Sequence, residues 1–119
     1  MTTLPGPGYY RDEVVRGNTL FRQYACQAAD GTPVDLSGCQ ARWRGVYGDT
    51  TLLKSTEDAS LLLTTPTNGT IDLILTPAET RLIPVDENMK YELEIIGSDD
   101  SELTVLWGDM VGKGGWNTE

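Results

Sequence analysis

The 119-residue chain has no histidine, which removes the commonest general base of enzyme chemistry. Without it neither a Ser–His nor a Cys–His nucleophile pair can be assembled. Cysteine occurs only at Cys26 and Cys39, a spacing unlike any zinc pattern, so no closed set of soft metal ligands is expected. Basic residues number nine against 18 acidic ones and are scattered; with a net charge of −9, a phosphate-binding surface for nucleic acid is not expected. No apolar run approaches the roughly 20 residues of a membrane span. The opening MTTLPGPGYYRDE lacks the basic and apolar regions of a signal peptide, and no membrane partner is expected.

What the chain does contain is alternation. With 39% apolar residues it can bury one core without metal or multiple disulfides, and one domain is expected. The segment TLFRQYACQA reads as a strand, ADGTPVDLSG as a turn region and CQARWRGVY as a second strand. Asp30-Gly31 supplies a positive-φ turn position, Pro33 interrupts any ladder, and Ser37-Gly38 resets the chain. Because successive strand side chains point to opposite faces, Cys39, Ala41 and Trp43 share one face and Gln40, Arg42 and Arg44 the other.

Further strands are expected over residues 50–55, 59–64, 70–76, 89–96 and 102–111, and residues 14–16 can begin a short edge strand. Asn68-Gly69 is a hairpin signal, and Thr76-Pro77-Ala78-Glu79 carries a Thr N-cap with Pro at the first helical position. That helix is limited by Pro84. In the last strand the buried side is ambiguous, with Val105, Trp107 and Val111 on one face and Leu106 and Met110 on the other. The sum is an all-β, immunoglobulin-like antiparallel β-sandwich of about seven strands with one short helical crossover. Trp43 matches the buried tryptophan of such sandwiches, and Tyr91 stands where a tyrosine corner is expected. Residues 1–13 read as an extended N-terminal arm, 14–112 as the sandwich and 113–119 as a flexible C-terminal tail.

Cys26 and Cys39 fall on apolar faces and read as core thiols, with a disulfide as the alternative. Asp72, Glu92 and Glu94 face outward and Asp86-Glu87 and Asp99-Asp100 lie in turns, so solvated carboxylates are expected rather than acid–base pairs. The turn over residues 97–102 reads as an ordinary acidic hairpin turn, with a Ca²⁺ loop as the other reading. Gly112-Lys113-Gly114-Gly115 precedes no helix and has no Ser or Thr after the Lys, so it is not a phosphate-binding loop. No enzymatic activity and no cofactor are expected.

Contact residues are a different matter. Tyr9, Tyr10 and Trp116 are large aromatics on Gly- and Pro-rich segments, which either fold back over the domain's own edge or dock on a neighbouring chain. Arg42 and Arg44, with Arg22 nearby, form either a solvated face or a contact for an acidic partner.

The runs RGNTLFRQYACQAADGTPVDLSGCQARWRGV, GTIDLILTPAETRLI, MKYELEII and LTVLWGDM resemble the small immunoglobulin-like structural modules of tailed bacteriophages, including the amino-terminal domains of baseplate upper proteins. The likeness spans about residues 14–113. It implies a non-enzymatic virion protein, assembled in the host cytoplasm, that attaches to other virion proteins and oligomerises or repeats. Unlike the baseplate proteins the sequence stops after one module, which favours an adaptor role in the tail or baseplate. A capsid decoration protein is the close alternative. A carbohydrate- or cell-surface-binding module is another, which requires at least two of Tyr47, Trp107 and Trp116 exposed side by side.

Overall fold

The computed structural model describes residues 2–4, 8–27 and 30–114. Its strands are β1 (Thr2–Leu4), β2 (Gly8–Val15), β3 (Leu20–Cys26), β4 (Gln40–Tyr47), β5 (Thr50–Ser55), β6 (Leu61–Thr65), β7 (Thr70–Leu75), β8 (Asn88–Ile96) and β9 (Glu102–Lys113). They form an all-β sandwich of a four-stranded sheet, β1-β3-β7-β6, and a five-stranded sheet, β2-β9-β8-β4-β5. The expected seven are β3 to β9; the additional two lie at the N-terminus.

The core lies where the two inner faces meet. Leu20, Tyr24, Leu61, Ile71, Leu73 and Leu75 come from the smaller sheet, and Ala41, Trp43, Met89, Tyr91, Leu93, Leu106 and Met110 from the larger. Trp43 is fully buried beside Tyr91, their ring centroids 5.8 Å apart. Cys26 is buried and Cys39 half-buried, and both thiols are free. Burial pushes the Cys26 thiol up to about 11, which keeps it protonated and unreactive at neutral pH.

A β-bulge resolves the two-sided reading of the last strand. Leu93 pairs with Leu106 but Glu94 with Thr104, so Val105 is the extra residue and the alternation changes phase there. Val105 and Leu106 are therefore both buried, after which Leu106, Gly108 and Met110 face the core and Trp107 faces out.

The N-terminal arm requires correction. Residues 8–15 are a strand, lying parallel on β9 from Gly8 opposite Leu106 to Val15 opposite Lys113. The segment GYYRDEVV has no proline to interrupt a ladder, and its alternation sends Asp12 and Val14 inward. β1 also pairs in parallel, on β3. Gly112 and Lys113, expected at the sandwich's end and in the tail, both belong to β9, and the Gly112 N–H donates to the Pro84 carbonyl at 2.8 Å. β3 ends at Cys26, two residues before its expected end at residue 28, which lies outside the described residues as does the tail over 115–119.

A lattice of specific bonds locks β2 in place. Asp12, 3% exposed, accepts two hydrogen bonds from the Arg22 guanidinium of the opposite sheet, at 2.9 and 2.7 Å. Tyr91 is not a tyrosine corner, because its hydroxyl crosses the sheet and donates to the Tyr10 carbonyl at 3.0 Å. Between them lies Gly108, whose hypothetical Cβ would sit 1.8 Å from that same carbonyl oxygen. Only a residue without a side chain lets β2 approach β9 there.

The one α-helix among the described residues, α1 (Pro77–Thr80), begins as its sequence indicates. Thr76 and Glu79 form a capping box, the Glu79 N–H donating to Thr76 Oγ1 at 3.2 Å and the Thr76 N–H to Glu79 Oε1 at 2.8 Å. Glu79 also pairs with Lys54 at 2.7 Å, an inward-pointing charge on edge strand β5 that discourages strand addition at that edge. The Asn68-Gly69 hairpin closes through a 3₁₀ turn over Pro66–Asn68, with Gly69 at φ 70°.

Candidate functional site

The outer face of the five-stranded sheet carries the most chemistry. Following the register across β2, β9, β8, β4 and β5 gives one row of side chains: Tyr9, Trp107, Glu92, Arg44 and Leu53. The Tyr9 and Trp107 rings meet edge to face with centroids 4.9 Å apart, and they remain 52% and 47% exposed. Stacking against its strand neighbour fixes each ring while leaving one side open to a partner.

Asp109 anchors this pair. Its carboxylate accepts from the Tyr9 hydroxyl at 2.5 Å and lies 3.1 Å from the Lys90 ammonium. The Tyr9 hydrogen bond, then Lys90, holds the Asp109 carboxyl below its ordinary range, and the same bond raises the Tyr9 phenol. At neutral pH the group is thus a fixed carboxylate orienting an aromatic ring.

The two arginines of β4 differ although they alternate on one face. Arg42 donates to Glu94, with Nε 3.1 Å from Oε1, and has Glu102 at 3.8 Å. Arg44 has no ion pair among the described residues. It stands between two shallow grooves, one of about 260 Å³ bounded by Trp107, Lys90 and Glu92, the other of about 510 Å³ bounded by Leu53, Thr51 and Glu94. Arg42 is therefore neutralised within the chain, and Arg44 is the guanidinium left to meet a partner.

The other expected contact residues separate. Tyr9 and Tyr10 are neighbours on β2 and so point to opposite faces: Tyr9 joins Trp107, while Tyr10 lies opposite Gly108 on the inner side. Both fold back over the domain's own edge. Trp116 lies outside the described residues. Arg22 is not on the face of Arg42 and Arg44, because it belongs to the other sheet and turns inward to Asp12. Tyr47 packs against the core and donates to Glu87 at 2.7 Å, on the side of its strand opposite to the Trp107 face. Those two rings do not form a side-by-side sugar platform.

Trp107, Asp109 and Leu53 belong to the face without having been singled out together from sequence. The only local signal was the alternation of β9, which the bulge obscures. Chemically the face offers rings, one unpaired guanidinium and crossed ion pairs, the materials of a binding surface. In the acidic turn before β9, Asp99 accepts from the Ser101 N–H at 3.1 Å and hydroxyl at 2.6 Å, so this carboxylate caps its own turn. Among the described residues no group of three His, Cys, Asp or Glu is arranged to hold a metal ion.

No family model matches the sequence, and no curated protein matches it. Among solved structures the fold is similar to the N-terminal domain of phage TP901-1 ORF48, with a TM-score of 0.60. The likeness covers 93% of this chain and 94% of that one, at 12% sequence identity. At that identity the likeness concerns the path of the backbone.

Proposed function

We propose that the chain is a non-enzymatic structural protein of a tailed-phage virion, an adaptor or accessory module of the tail or baseplate that binds other virion proteins. The observation that carries this reading is the near end-to-end likeness to a phage domain, which agrees with the resemblance already present in the sequence motifs. The contact is made by the outer face of the five-stranded sheet. Aromatic rings and arginine dominate the binding energy of protein interfaces, and Tyr9, Trp107 and Arg44 stand there in one row. Assembly takes place in the host cytoplasm.

Labelling the protein in assembled particles tests the placement by electron microscopy. Signal confined to the tail tip supports the baseplate reading. Signal distributed over the head replaces it with capsid decoration.

A further inference from the structure

The four-stranded sheet has an outer face of its own, and its chemistry is different. Phe21 and Ile74 are direct cross-strand neighbours, 53% and 43% exposed, and Leu62 on β6, 44% exposed, lies opposite Asp72 and diagonal to Ile74. These three form one apolar patch on rigid strands rather than scattered single residues. Of the charged residues on β3, β6 and β7, Arg22 turns inward and Asp72 alone faces out. Its carboxylate accepts from the Gln23 amide at 2.8 Å, so burying the face leaves that oxygen paired.

We propose that this face is a homotypic contact, where two copies of the chain meet across a twofold axis with the Phe21–Ile74 pair of each against the other. The occupant follows from the distribution of charge. The chain carries −9, with acids concentrated in turns such as Asp49, Glu57-Asp58, Asp86-Glu87 and Asp99-Asp100. Two copies approaching through those turns repel each other, whereas this face brings only Asp72 toward its equivalent. A partner recognised by charge finds no cation here among the described residues. A self-complementary contact needs an apolar strand surface of matching twist and low charge, which the chain itself supplies with Asp72 as its one outward carboxylate. The contact is independent of whatever the opposite face binds.

Sedimentation equilibrium of the whole chain, from micromolar to near-millimolar concentration and at low and high salt, tests this. The expected result is a monomer–dimer equilibrium that tightens with salt, because screening removes the residual repulsion while apolar burial persists. Phe21→Lys is expected to weaken it by about tenfold or more, with Ile74→Ser as a milder variant should the first fail to fold. A strictly monomeric wild type overturns the proposal. So does a dimer that survives both substitutions, or one that is lost on Arg44→Glu instead.

Discussion

On the outer face of the five-stranded sheet exposed apolar groups have charged neighbours across a strand: Trp107 lies beside Glu92, and Leu53 beside Arg44. On the four-stranded sheet Phe21 lies beside Ile74, and the one outward carboxylate, Asp72 opposite Leu62, is tied to an amide. Both faces arise from the same alternation, with the same core beneath them. They differ because the larger sheet sets charged strands side by side, so that Arg42 meets Glu94 and Lys90 meets Asp109. Crossed charges make a face selective for its partner, while a face with a single tied carboxylate associates chiefly by burial. Under the two proposals made above, one face attaches the module to a scaffold while the other meets its own copies.

The harshest way to break this contrast is to delete residues 1–12. The deletion removes Tyr9 from the charged face, strips most of β2 from β9 and leaves Arg22 without Asp12. Loss of cooperative unfolding and of dispersed NMR signals is expected. Retention of an intact fold would return these residues to the status of a dispensable arm.

A smaller change separates buried from surface charge. Asp12→Asn keeps the shape but breaks the inter-sheet pair, with an expected loss of about 2 to 3 kcal/mol in urea unfolding, reduced from the full cost of a broken buried pair because Arg22 is partly exposed. Arg42→Ala removes a surface pair and is expected to cost under about 1 kcal/mol. Equal effects would mean that β2 is not held by its charge.

Acid gives the mildest perturbation. Asp99, Asp58 and Asp35 are lowered mainly by hydrogen bonds from Ser101, Ser60 and Ser37, and Asp109 mainly by the one from Tyr9. A lowered folded-state value means stability that is fully present above the unfolded carboxylate range and lost as pH falls through the folded value. Thermal melts are therefore expected to be flat from neutrality down to about pH 4–5 and to fall below it. A midpoint that rises on acidification contradicts the turn-capping role.

Much of the fold is legible in residues that act on their neighbours. Gly31 and Gly69 do take positive φ, Thr76 does cap its helix, and alternation places Trp43, Tyr91 and Ile71 in the core. What escapes sequence reading depends on distant pairing. β2 joins β9 about a hundred residues away, and a parallel edge strand needs no hairpin turn to announce it. The Val105 bulge shifts a register only visible once β8 is in place. Arg42 and Arg44 look equivalent in the chain, and each has a glutamate opposite it on β8, yet only Arg42 closes an ion pair with its own. Asp12 and Arg22, ten residues apart, meet only because they sit on facing sheets.

The central claim is that the charged face attaches the module to the virion. Its most direct measurement is incorporation of an Arg44→Glu, Trp107→Ser double variant into purified phage particles, compared with wild type at matched folding by circular dichroism. The expected result is a folded protein absent from the particles. Incorporation at the wild-type level would contradict it.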